Sequence, residues 1–155
     1  MNDNLIAIDI VDEQTLLKAC DLLHDAKFDK SDMQIDRDAG VLTAIFEREF
    51  FEDPDLMQHE RKWWFFIKTT FPIAKTQLTL RDISSIKEED KSKIGKYMFN
   101  ECKMKNNIAT LWFCEDMKII VEFNDKPRGK FADIELLDKT GNMLTTGVKE
   151  FKEKC

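Results

Sequence analysis

The sequence predicts an α+β fold that is predominantly antiparallel β-sheet, with one amphipathic helix near its N-terminus. Apolar residues recur at helical spacing over residues 13–26, whereas later in the chain they alternate with polar residues, as in half-buried strands. Turn-forming residues separate the alternating segments every ~8–12 residues, which is typical of a meander that forms a barrel or a sandwich. We expect all 155 residues to form a single domain.

The helix is predicted from a capping residue and an apolar stripe. Asp12 immediately precedes the stripe, and its carboxylate suits the free N–H groups of a first helical turn. Leu16, Cys20 and Leu23 then follow at intervals of three or four residues, so they share one face of a helix. The predicted helix therefore spans residues 13–26.

The strands are predicted from alternation and from the turns between them. Met33 and Ile35 lead into turn residues 36–40, in which Gly40 is free to take a positive φ, and residues 41–48 return as the partner strand. The other short strands are expected at residues 5–11, 76–86, 94–105, 108–115, 117–124 and 130–138, with a polar break at 87–93, turns at 105–107, 115–116 and 124–129, and one weak strand from Gly141.

An aromatic segment is the most unusual stretch of the chain. Residues 61–71 are predicted to form one long strand that follows an acidic loop at residues 50–60. Because neighbouring residues of a strand face opposite sides, this strand would be apolar on both faces. One helix cannot cover both faces, so Trp64 and Phe66, together with Trp112 on a later strand, are predicted to form an interaction surface.

The cysteines and the opening residues indicate a cytoplasmic protein. The first residues lack the basic segment and the following apolar segment of a signal peptide. No apolar run reaches the ~20 residues that a membrane-spanning helix needs. We therefore expect reduced thiols, no disulfide and no membrane association. The four cysteines are Cys20, Cys102, Cys114 and Cys155.

The formal net charge of −6 argues against general binding of nucleic acid, which favours basic surfaces. The acidic excess lies in residues 1–60, and residues 61–155 carry more Lys and Arg than Asp and Glu. This asymmetry fits either an interaction surface or two halves that face each other within one fold.

The chain contains no sequence motif of a known catalytic or nucleotide-binding site. It has no P-loop, no glycine-rich dinucleotide fingerprint and no nucleophile elbow. Asp21, His24 and Asp25 would lie on one face of the predicted helix and are weak candidates for ligand binding. A fourth ligand at a characteristic spacing is not evident, so neither a metal nor a cofactor is predicted.

The favoured interpretation is a non-enzymatic binding or self-associating module. Its partner is predicted to be a second copy, most simply in a two-fold dimer, or another protein. The alternative is an enzyme or a small-ligand-binding protein with a pocket between helix and sheet near His24.

Overall fold

The computed structural model describes residues 5–63 and 66–137, and for residues 54, 58–63 and 66–69 it describes the backbone alone. The described chain is mostly antiparallel sheet with one short helix, so that part of the fold prediction is confirmed. In chain order the elements are β1 Ala7–Ile10, α1 Glu13–Leu22, β2 Lys27–Asp36, β3 Val41–Glu49, β4 Gln58–Trp63, β5 Phe66–Thr70, β6 Ile73–Asp90, β7 Lys96–Lys105, β8 Ile108–Phe113 and β9 Met117–Leu137.

The main sheet has the strand order β1-β9-β6-β3-β2-β7-β8, and every pairing in it is antiparallel. β9 pairs with β8 as well as with β6 and β1. The pairings therefore run from β9 through β6, β3, β2, β7 and β8 and return to β9. β4 and β5 form a separate two-stranded sheet.

Inward-facing side chains alternate with outward-facing ones along these strands, and the inward-facing side chains fill the space that the series of pairings encloses. In β3 the even-numbered residues from Leu42 to Arg48 are buried, and the odd-numbered ones face outward. The buried rings meet in tilted and edge-to-face contacts, with centroids of Phe28 and Phe113 5.1 Å apart and those of Phe46 and Phe99 5.9 Å apart. A second buried cluster consists of Phe50, Leu56, Ala74 and Leu136.

The helix begins where the sequence predicts and ends earlier. The Asp12 carboxylate accepts a hydrogen bond from the Thr15 amide at 2.8 Å, which confirms Asp12 as the N-cap. The predicted end at residue 26 is wrong, because α1 ends at Leu22. Asp25 adopts a φ of 64°, and its amide donates to the carbonyl of Phe99 in β7 at 2.9 Å, which directs the chain into β2.

The predicted hairpin at Gly40 is confirmed. The Asp36 carboxylate accepts from the Ala39 amide at 2.9 Å, and Gly40 takes a φ of 66° between β2 and β3. Gly40 also lies against β6, because a β-carbon built on it would stand 2.5 Å from the carbonyl oxygen of Ile83. Only glycine satisfies both the backbone conformation and this close approach.

The prediction of one long aromatic strand over residues 61–71 is wrong. The backbones of β4 and β5 pair with each other, with Trp63 opposite Phe66, so the chain reverses direction between those two residues. The predicted acidic loop at residues 50–60 is also too long, because β4 begins at Gln58 and Leu56 is buried. The aromatic run therefore surrounds the reversal of a hairpin, and the argument for two apolar strand faces does not hold.

Two predicted interruptions lie inside long strands. The prediction of a polar break at residues 87–93 is wrong up to Asp90, because β6 continues to that residue and pairs with the first half of β9. The turn at 124–129 is likewise wrong. The pairing jumps from Phe123 opposite Ile83 to Arg128 opposite Arg81, so the extra residues form a bulge without reversing the chain.

Among the described residues, no helix is both long enough and apolar enough to cross a membrane.

Candidate interaction surface

Asp21, His24 and Asp25 do not share a helical face, because α1 ends at Leu22. His24 Nδ1 lies 2.7 Å from the carbonyl oxygen of Asn100 in β7, and its Nε2 lies 3.7 Å from an Asp25 oxygen. Both side chains are exposed. Within the described residues, no group of three or more His, Cys, Asp or Glu side chains is placed to hold a metal ion.

The three aromatic residues predicted to form an interaction surface are described to different extents. Trp64 lies outside the described residues, and Phe66 is described by its backbone position in β5 alone. Trp112 lies on β8 with 37% of its surface exposed. The ammonium group of Lys118 stands 4.9 Å from its ring centroid and also pairs with Glu89 at 2.9 Å, so one side of the ring is occupied.

A groove of about 710 Å³ lies on the outward-facing side of five neighbouring strands, β9, β6, β3, β2 and β7. We call it the outer groove. Its aliphatic side chains include Ile45 on β3, Ile134 on β9, Met98 on β7 and Ile94 in the turn before β7. No residue of α1 lines it, so it is distinct from the pocket near His24 that the sequence suggested.

A bulge in β2 builds one wall of the outer groove. Phe28 pairs with Phe46 and Met33 pairs with Ala44, so β2 carries extra residues opposite Ile45. The Asp29 carboxylate closes the bulge by accepting hydrogen bonds from the amide and hydroxyl of Ser31, and these bonds lower the pKa of Asp29. The bulged segment is then fixed to the turn before β7, since the Lys30 amide donates to the carbonyl of Gly95 at 2.8 Å.

The outer groove contains several of the large apolar side chains that the described molecule leaves exposed. Ile94 is 55% exposed, Ile134 42% and Met98 41%. They are three of the seven large hydrophobic residues that are exposed in the described chain. Single exposed apolar residues are ordinary on a protein surface, but several in one concavity make it a candidate binding site.

A row of alternating charges crosses the outer groove. Glu135 on β9 lies opposite Lys75 on β6, Lys75 opposite Glu47 on β3, and Glu47 opposite Lys27 on β2. We call this series the charge row. The Lys75 ammonium and a Glu135 carboxylate oxygen are 3.7 Å apart. Lys27 and Glu47 are both exposed.

Sequence reasoning missed a buried ion pair inside the sheet. Arg48 is 2% exposed, and its guanidinium donates to both carboxylate oxygens of Asp133 at 3.2 and 2.7 Å. The Thr76 hydroxyl and the Ile6 amide also donate to Asp133, at 2.6 and 3.1 Å. The signal was present for Arg48, which alternates with the apolar residues Phe46 and Phe50, but for Asp133 a bulge before Glu135 interrupts the alternation.

A second polar cluster supports the turn that carries Ile94. The Tyr97 hydroxyl donates to the Asp90 carboxylate at 2.6 Å, and this bond is the main reason that the pKa of Asp90 is lowered. Lys30 contacts Glu88 and Asp90, which raise the pKa of its ammonium group. The cluster ties β2, β6 and β7 together beside the outer groove.

Comparison of the chain with family models, with curated proteins and with solved structures found no match.

Proposed function

We propose that this protein is a non-enzymatic binding module and that its outer groove binds a protein. The observation that carries the proposal is the gathering of Ile94, Met98 and Ile134 in one concave, solvent-exposed site. Burying apolar side chains of this kind on binding provides ~25 cal/mol for each Å² removed from water. Unbranched Met98 adapts its shape to a partner better than a branched residue does.

The composition of the groove favours a protein over a small molecule. Small-ligand sites enclose most of the ligand and present a few convergent polar groups. The outer groove instead lies open along five strands and is lined by aliphatic side chains and by charges of both signs. Such a mixture of apolar and charged side chains is usual in a protein–protein interface, which as a whole is about as apolar as the rest of a protein surface.

We also infer that the sheet forms a barrel, that the helix is amphipathic and that the protein is cytoplasmic. The closed series of pairings supports a barrel over a sandwich. Burial of Leu16, Ala19 and Cys20, with Lys18 and Asp21 exposed, supports an amphipathic helix. The free thiols of Cys20, Cys102 and Cys114 support a cytoplasmic location.

Selection from a displayed peptide library tests the groove without knowledge of the natural partner. Peptides selected on the native protein are measured by fluorescence anisotropy against Met98→Glu, Ile134→Glu and the control Ile108→Glu. Ile108 is 36% exposed on β8 and lies outside the groove, so the control makes the same substitution on a comparable surface.

We expect the groove variants to bind about tenfold more weakly, because each places a carboxylate against the apolar part of the partner. The control should bind as the native protein does. Peptides that bind all three variants equally well, or that lose binding only in Ile108→Glu, would refute the proposal.

A further inference from the structure

We infer that the occupant of the outer groove is a second copy of this chain, bound face to face about a two-fold axis that runs along the strands. This inference rests on the proposed function, since it names the protein that the groove binds. The observation that leads to it is the charge row, whose four members alternate in sign across four adjacent strands.

The order of the charges makes the row complementary to itself. Read from β9 to β2, the charges are negative, positive, negative and positive, from Glu135 to Lys27. A two-fold axis through the centre of the row, parallel to the strands, reverses this order in the second copy. Glu135 then faces Lys27 of the second copy, and Lys75 faces Glu47 of the second copy. All four contacts join opposite charges.

The same row rejects other arrangements. An axis perpendicular to the strands would leave the order unchanged and would set every charge against its own copy. Like charges facing each other across an interface are strongly unfavourable, so the row selects one orientation. A two-fold assembly of this kind is closed, because each copy buries this surface against the other and leaves none free to bind a third chain.

The same two-fold rotation also brings apolar side chains of the two copies towards each other. Met98 lies opposite Lys27 in the pairing of β2 with β7, one strand beyond the end of the charge row. The rotation carries Met98 of one copy to the β9 side of the other copy, where Ile134 is exposed. The arrangement that pairs the charges therefore also brings apolar surface to apolar surface.

Charge exchange between two variants tests this inference directly. In a homodimer of Lys27→Glu, each substituted position faces Glu135 of the other copy, so two pairs of carboxylates oppose each other. In a homodimer of Glu135→Lys, each substituted position faces Lys27 of the other copy, so two pairs of ammonium groups oppose each other. In a mixture of the two variants, the heterodimer sets the two substituted positions against each other with opposite charges and keeps every other contact between opposite charges. Sedimentation equilibrium over a range of micromolar concentrations measures the dissociation constant of each sample.

We expect the native chain to sediment as a dimer and each single variant to associate with about tenfold lower affinity. The equimolar mixture should recover the native affinity. Lys103→Glu is the matched control, because Lys103 is an exposed residue outside the groove that pairs with Glu101 at 3.1 Å. Its dimer should be as tight as the native one. Unchanged thermal unfolding of the single variants shows that the monomers remain folded.

A monomeric native chain throughout the concentration range would overturn the inference, and so would a mixture no tighter than its components. A dimer insensitive to Lys27→Glu and Glu135→Lys would overturn it as well. The proposed function is judged separately by the selected peptides. Peptides that bind the groove of a monomeric chain would support that function and assign the groove to a different protein.

Discussion

Replacing Arg48 with methionine removes one member of the buried ion pair and leaves the other in place. Asp133 has a fully buried side chain, and Arg48 supplies two of the four donors that contact its carboxylate. Methionine fills much of the arginine volume, so the substitution mainly tests charge and hydrogen bonding. The guanidinium also stacks over Phe50 and Phe131, with its carbon 5.4 and 5.8 Å from the ring centroids.

The expected loss in the free energy of unfolding depends on the donors that still contact Asp133 in the variant. Removing one partner of a buried ion pair costs about 3–5 kcal/mol, because the other charge stays buried without compensation. The Thr76 hydroxyl and the Ile6 amide still donate to the carboxylate, which favours the lower end of that range. We therefore expect Arg48→Met to lower the free energy of unfolding by about 3 kcal/mol, a large fraction of the ~5–15 kcal/mol of a typical domain.

Urea denaturation followed by circular dichroism measures this loss. The double variant Arg48→Met, Asp133→Asn is the informative comparison, because the neutral amide removes the buried charge, its oxygen can accept from the Ile6 amide, and its NH2 group can donate to the Thr76 hydroxyl. It should recover most of the lost stability. A loss below about 1 kcal/mol in Arg48→Met would show that the pair adds little to stability. A double variant no more stable than the single one would refute the explanation by an uncompensated charge.

Two further predictions concern the turns. Gly40→Ala should lower the free energy of unfolding by about 2–3 kcal/mol, because alanine must adopt a positive φ and its β-carbon meets the Ile83 carbonyl. Gly95→Ala, where no atom lies within 4 Å of the added carbon, should lose less in the same urea titration, and an equal loss would rule out the contact as the cause. Tyr97→Phe should lose about 1.5 kcal/mol at neutral pH, since it removes a hydrogen bond to the Asp90 carboxylate. That hydroxyl lowers the folded-state pKa of Asp90, so its contribution is present above the unfolded pKa and disappears as the pH falls through the folded one. The difference between native and variant stability should therefore shrink below about pH 4, and a difference independent of pH would contradict this role.

Elements specified by local chemistry could be predicted from the sequence. Asp12 caps the helix, Gly40 forms the hairpin turn, and the tight turns at 105–107 and 115–116 contain Asn106, Glu115 and Asp116 with positive φ. Each of these depends on residues within a few positions of one another. Asn and Asp tolerate the left-handed region because their side chains are short and polar, so their positions in the sequence identify turns.

Features that depend on distant residues could not be predicted in this way. The chain reverses within an aromatic run that contains no glycine, proline or asparagine, so alternation alone gave one strand where there are two. The sequence from Asn124 to Gly129 has the composition of a turn, but pairing with β6 keeps it within β9. The outer groove depends on the register of five strands and on the bulge in β2, and no local pattern reports either.

The position of β9 affects how the chain can fold as it is synthesised. β1, from Ala7 to Ile10, pairs with residues 129–132, and β9 also joins β6 and β8. A nascent chain that has reached only the end of β8 therefore presents unpaired edges on β1, β6 and β8 together. Such edges invite pairing with other chains, and contacts so distant in sequence form slowly. The emergence of β9 from the ribosome is thus the step that removes these edges, and a chain stopped before residue 117 would retain them all.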